Sequence, residues 1–170
     1  SSPGVGSRFH FTIPLPSTRH DVVVDDFDNV LRLASGKQVR ALIADDQREN
    51  RQVLRQILEQ VGVTVEDVES GEQAVASVAA DTPDILFLDM RMPGLDGADT
   101  LERIRRLLRD SMPPAVVVSA SALAHERQQY MQAGFDGFVP KPVRQGAVYQ
   151  TLADLLQVEF ERAPASSPVA

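Results

Sequence analysis

The chain has 170 residues, enough for one domain of ordinary size with some chain to spare. Its net charge of -7 and pI near 4.9 disfavour a non-specific grip on nucleic acid or an anionic membrane. The absence of cysteine excludes disulfides, thiolate metal sites and cysteine nucleophiles. No apolar stretch approaches the roughly 18 residues of a membrane span, and no charged-then-apolar leader opens the chain. The expectation is a soluble, cytoplasmic module that itself makes no contact with a membrane, with any anchor belonging to a longer parent chain.

The first 37 residues differ from the rest. Gly4, Gly6, Pro14 and Pro16 punctuate them, and Arg8 to Leu15 is strand-like, with Phe9, Phe11 and Ile13 alternating. Residues 17–37 mix Ser, Asp, Asn and Gly and read as a linker, with one turn of helix near Phe27 to Leu33. From there apolar runs and helical patterns alternate. Val39 to Ala44 is an apolar run ending at Asp45-Asp46, and Arg48 to Val61 carries Val53, Leu54, Ile57, Leu58 and Val61 at helical spacing. Val63 to Val68 alternates like a strand, and Gly71 to Ala80 is helical. Ile85 to Leu88 is continuously apolar and leads to Asp89. Asp99 to Arg109 is an amphipathic helix, and Ala115 to Val118 a second continuous apolar run. Ala124 to Ala133 is helical and stops at Gly134, a natural residue just past a helix end. Phe135 to Val139 is a short strand and Gly146 to Val158 a last helix. Residues 161–170, rich in Pro, Ser and Ala from Ala163 on, read as a flexible tail.

Five strand-then-helix units, with the central strands apolar throughout, predict a doubly wound five-stranded parallel sheet between helices over residues 38–160. Right-handed crossovers bring the carboxyl ends of the strands to one rim, where open α/β sheets bind ligands. That rim receives Asp45 and Asp46 from the first strand, Asp89 from the third, Ser119 from the fourth and Lys141 after the fifth. Taken singly, an acidic residue there is often a helix cap, Ser119 a turn residue and Lys141 a solvated lysine. Three converging carboxylates are tolerable around a hard cation such as Mg²⁺ or Mn²⁺, and one of them can then attack phosphorus while Lys141 balances charge. A lysine turned back into such a site also predicts a cis Lys141–Pro142 bond. Val22 to Asp26 imitates a strand ending in an acidic pair, but 63 residues separate Asp26 from Asp89 and no helical pattern follows. The arginines at 103, 105, 106 and 109 share a helix with an apolar stripe, which makes a solvated face the better reading than a nucleic-acid surface.

The segments LIADDQREN (Leu42 to Asn50), ILFLDMRMPGLDG (Ile85 to Gly97), VVVSASA (Val116 to Ala122) and GFDGFVPKPV (Gly134 to Val143) resemble the four signatures of response-regulator receiver domains. Their spacing agrees as well: 43 residues separate Asp46 from Asp89, 30 separate Asp89 from Ser119, and 22 separate Ser119 from Lys141. The resemblance implies a flavodoxin-like receiver whose Asp89 accepts a phosphoryl group from phosphohistidine. It implies Mg²⁺ held by Asp46, Asp89 and the main-chain carbonyl of Arg91, with Asp45 acting through water or by orientation. It makes Ser119 the switch hydroxyl, Lys141 the phosphoryl-binding lysine and Phe138 the aromatic switch, here without a phenolic hydroxyl. Such a receiver catalyses only its own phosphorylation and dephosphorylation. Gly4 to Pro16 is similar to the closing strand of a histidine-kinase ATP-binding domain, which implies that residues 1–16 are a kinase remnant and the parent a hybrid histidine kinase. The implied partner is the phosphohistidine dimerisation domain of a kinase or a histidine phosphotransfer protein, with no nucleic acid involved. Because the apolar residues of the first helix span an arc of about 140°, wider than the roughly 100° that covers a sheet, one edge is expected to stay exposed for that partner, at Leu54 and Leu58 with Arg51. The rival reading is a phosphate-independent scaffold with the same fold. An aspartate-nucleophile phosphohydrolase needs a second Asp where Arg91 stands, and a nucleotide-binding module needs a Gly-rich loop that Asp45-Asp46-Gln47-Arg48 does not supply.

Overall fold

The aliphatic runs that end at Ala44, Leu88 and Val118 pair side by side because they are apolar on both faces and can be buried only between two layers of helices. In the computed structural model, which describes residues 27, 29–34, 37–120 and 124–163, the elements run β1 (Val30–Leu33), β2 (Arg40–Ala44), α1 (Arg48–Gln60), β3 (Thr64–Val68), α2 (Gly71–Ala80), β4 (Ile85–Asp89), α3 (Gly97–Leu108), β5 (Ala115–Ser119), α4 (Ala124–Ala133), β6 (Gly137–Pro140), α5 (Gln145–Leu156) and β7 (Phe160–Arg162). Strands β3-β2-β4-β5-β6 form one parallel sheet in that order, so the expected architecture is observed. The two-residue period of β4 sorts its side chains: Ile85 and Phe87 enter a core with α1 and α5, whereas Leu86 and Leu88 enter a second core with α2 and α3. All of β4 and β5 is buried, which fixes Asp89 and Ser119 on rigid backbone at the sheet rim. Gly134 follows α4 with φ +96, the conformation expected of a residue just past a helix.

Three expectations need correction. The turn of helix near Phe27 to Leu33 is instead β1, because β7 offers it an antiparallel partner: Val30 pairs with Arg162 and Leu33 with Phe160. Phe27, Val30 and Leu33 are buried in the core beside α5, and Phe27, Tyr149 and Phe160 form an aromatic cluster with centroids 5.3–6.1 Å apart. Residues assigned to a linker and residues 161–162 assigned to a tail therefore form a two-stranded ribbon packed on the domain. The last helix ends at Leu156 rather than Val158, since Gln157 turns left-handed (φ 51, ψ 46) and sends Val158 into the ribbon's core. The strand expected at Arg8 to Leu15, the acidic decoy at Val22 to Asp26 and the tail beyond 163 lie outside the described residues.

Candidate functional site

Each rim residue sits where its strand ends. Asp45 follows β2, is almost fully buried, and uses both carboxylate oxygens: Oδ1 accepts from the Gln47 N–H (2.9 Å) and from Asn50 Nδ2 (3.1 Å), and Oδ2 accepts from Lys141 Nζ (2.8 Å). Asp89 closes β4, and Lys141 Nζ lies 3.0 Å from its Oδ1. The Arg91 N–H also hydrogen-bonds the Asp89 carboxylate. Asp46 is exposed at the mouth of the cleft, and one oxygen from each of Asp45, Asp46 and Asp89 falls within a 4.8 Å group. Gly97 lets the loop after Asp89 fold back closely, since a Cβ there would stand 2.6 Å from the Asp89 carbonyl oxygen.

Lys141 is drawn inward by the loop after β6, where its N–H donates to the Ser119 carbonyl (2.8 Å) and its bond to Pro142 is cis, as expected. Ser119 is buried at the end of β5, with its hydroxyl 3.2 Å from the phenol of Tyr130 on α4. The Tyr130 ring stacks on Phe138 (6.1 Å, 17° between planes), and the Arg127 guanidinium covers Phe138 at 6.0 Å. The rim thus brings together Asp45, Asp46, Asp89, Ser119 and Lys141, with the Arg91 backbone alongside, and Phe138 one ring away.

The electrostatics follow from one ammonium serving two buried carboxylates. Burial pushes the Asp89 carboxyl above its ordinary value; Lys141 pulls it back, but neighbouring Asp45 adds to the rise. For Lys141, burial works against its charge, yet hydrogen bonds to Asp45 and then Asp89 outweigh that and hold it above the ordinary lysine value. A carboxylate kept basic and placed against a fixed cation is a nucleophile with its counter-charge already in place. The chemistry the arrangement permits is attack on an electrophile whose negative charge Lys141 and a cation among the acidic groups can balance.

The expected docking edge on α1 needs correction. Leu54 and Leu58 are buried beneath the helix, and Arg51 folds inward with a side chain 12% exposed. Tyr149 of α5 donates to the Ile57 carbonyl (3.2 Å), so α5 covers the edge that the arc of apolar residues was expected to leave free. The apolar residue that stays exposed on α1 is Val53, at 47%. Sequence reasoning also passed over Asn50 and Tyr130. Asn50 had a usable signal, a polar residue on the first turn after an acidic pair. Tyr130 had none, because its distance to Ser119 depends on how α4 crosses the sheet.

A family profile described as the response regulator receiver domain matches residues 41–153. The chain is 36% identical over 121 residues to the Sensory/regulatory protein RpfC of Xanthomonas campestris pv. campestris, covering 70% of this chain and 17% of that protein. It is 30% identical over 159 residues to the Sensor protein EvgS of Escherichia coli (strain K12), covering 93% of this chain and 13% of that protein. The chain thus spans under a fifth of the length of these curated relatives. Among solved structures, it matches the receiver domain of sensor histidine kinase PA1611 from Pseudomonas aeruginosa PAO1, which has a magnesium ion coordinated in its active-site cleft (TM-score 0.65, 27% identity, 71% of this chain and 99% of that chain).

Proposed function

Since this chain belongs to the response regulator receiver domain family of two-component signalling, we propose that Asp89 accepts a phosphoryl group from a phosphohistidine in a Mg²⁺- or Mn²⁺-dependent reaction. One observation carries this reading: one half-buried ammonium, that of Lys141, lies against both Asp45 and Asp89 at adjacent strand ends. In the step, an Asp89 carboxylate oxygen bonds to phosphorus as the P–N bond breaks. The imidazole leaves with that electron pair, and it leaves neutral when its other nitrogen carries a proton. Lys141 then turns part of its hydrogen bonding to the new phosphoryl oxygens, and the Ser119 hydroxyl exchanges Tyr130 for a phosphoryl oxygen. Release of Tyr130 and its stacked Phe138 gives the change that a partner reads, or the group passes on to another histidine.

The donor set suits a hard cation, being oxygen-only and triply anionic: Asp46 and Asp89 would hold it with the Arg91 carbonyl, and Asp45 would orient it. When bound, such a cation supplies positive charge opposite Lys141 for the phosphoryl oxygens. The partner is a kinase phosphohistidine domain or a histidine phosphotransfer protein. The parent is a hybrid histidine kinase of the cytoplasm-facing kind, whose ATP-binding domain ends in residues 1–16. Incubating the chain with acetyl phosphate and MgCl₂ tests the reading by intact mass. One added phosphoryl group that needs the metal and disappears in Asp89→Asn is expected; an unmodified wild-type chain would favour the phosphate-independent scaffold.

A further inference from the structure

The side chain of Arg51 is spent on the main chain of the acidic pair. Its backbone N–H closes the first turn of α1 on the Gln47 carbonyl (3.2 Å), and its side chain reaches back over the turn that carries Asp45 and Asp46. There Nη1 donates to the Asp45 carbonyl (2.7 Å) and to the Asp46 carbonyl (3.3 Å). On its other edge, Nε donates to Asp67 Oδ2 (2.9 Å), with the arginine side chain 12% and the aspartate 24% exposed. Asp67 stands on β3, beside Ile43 of β2, and its second oxygen is taken by Arg55. The hold on Asp67 keeps its carboxyl ionised: burial raises it, but hydrogen bonds from Arg55 and Arg51 bring it below the ordinary value.

We propose that Arg51 is a positioning residue for the acidic pair: anchored on Asp67, its guanidinium fixes the two carbonyls and thereby the directions in which the Asp45 and Asp46 carboxylates meet a cation. This rests on the reading of that rim as a cation site. The geometry separates this role from a mere tie between helix and sheet. Arg55 already supplies the tie, since it bonds the same Asp67 and the Val65 carbonyl (2.9 Å), and it does not touch the acidic pair. The planar guanidinium carries donors on separate nitrogens, so Nε reaches Asp67 on one edge while Nη1 reaches the two carbonyls on the other, a span that the single nitrogen of an ammonium does not offer. Charge and geometry also predict opposite signs. A cation near a metal site opposes metal binding, so losing Arg51 by charge alone tightens the site; losing it as an orienting group loosens the site.

The test uses the whole 170-residue chain without any phosphodonor, titrated with MgCl₂ and followed by backbone amide shifts in NMR, with thermal melts alongside. Arg51→Met should weaken Mg²⁺ binding by roughly 10-fold or more, the usual cost of removing a group that orients metal ligands. Arg51→Lys should recover little of it. Arg55→Met, which breaks the neighbouring bond to Asp67, should lower the melting temperature and leave Mg²⁺ affinity within about twofold of wild type. If Arg51→Met does not fold, Asp67→Asn reads the same quantity, with a several-fold weakening expected. Equal or tighter Mg²⁺ binding in Arg51→Met, or an equal loss in Arg55→Met, overturns the assignment. A wild-type chain with no saturable Mg²⁺ response refutes the cation site beneath it.

Discussion

Replacing Asp89 with asparagine should stabilise the metal-free fold at neutral pH, although it removes one arm of an ion pair. At 3.0 Å and an effective dielectric constant of about 20, the attraction of Lys141 for Asp89 is about 5.5 kcal/mol. Asp45, with an oxygen within 4.8 Å, repels it by at least about 3.5 kcal/mol on the same scale. Asp46 is exposed and its charge is screened by water and salt. Attraction exceeds repulsion by about 2 kcal/mol, and against it stands the cost of holding an ionised carboxylate out of water, still several kcal/mol per ion after relaxation, which leaves about 1–2 kcal/mol in the asparagine's favour once its own burial is counted. Lys141 is not orphaned by the change, because its 2.8 Å bond to Asp45 remains. A gain of about 1–2 kcal/mol corresponds to a rise of about 2–8 °C in melting temperature for a chain of this size. The pH dependence has a definite sign. Between the unfolded value of 3.8 and the raised folded value, the native state holds the Asp89 proton more tightly, so wild-type stability falls as pH rises through that window. The variant's advantage is therefore complete above the folded value and fades as pH drops towards 3.8. Urea unfolding of both proteins in EDTA, from neutral pH to about pH 4, measures this. A variant less stable than wild type at neutral pH, or an advantage that grows on acidification, contradicts the reasoning.

Other perturbations have equally definite outcomes. Phe27→Ala should cost about 3 kcal/mol in urea unfolding, because the ring is buried against Tyr149 and Phe160; a change below about 0.5 kcal/mol means that the β1–β7 ribbon is not part of the cooperative fold. Val53→Asp should slow phosphoryl transfer from a phosphohistidine protein and leave phosphorylation by acetyl phosphate intact, whereas Leu58→Ala should cost about 2–5 kcal/mol of stability; unchanged transfer in Val53→Asp moves docking off this face. Tyr130→Phe keeps the stack on Phe138 but removes the hydroxyl that meets Ser119, so it should cost about 1 kcal/mol in urea unfolding; a change below about 0.3 kcal/mol means that this hydrogen bond adds nothing to the fold.

The parallel sheet was legible because Ile85 to Leu88 and Ala115 to Val118 are apolar at every position, a pattern that only strands covered on both faces need. The rim followed from topology, since Asp45, Asp46, Asp89, Ser119 and Lys141 each come directly after such a run. The ribbon was not legible. Val30 to Leu33 has two buried and two exposed residues, too short a pattern to mark a strand, and its partner lies about 130 residues further along the chain. The face of α1 was misread for a related reason. Helical periodicity ranks Leu54, Leu58 and Val53 on one arc, but which edge stays open depends on α5, whose Tyr149 packs over Ile57. Arg51 has a charge that suggests solvent; its inward role depends on Asp67, which comes close only once β3 lies beside β2.

The central claim is that Asp89, and neither of its acidic neighbours, carries the phosphoryl group. Borohydride reduces an aspartyl phosphate to homoserine and leaves free carboxylates untouched, so it marks the acceptor covalently. After phosphorylation with acetyl phosphate and MgCl₂, reduction and peptide mass spectrometry should find homoserine at position 89 and aspartate at positions 45 and 46. Homoserine at 45 or 46, or a chain phosphorylated in full with aspartate intact at 89, would contradict the account.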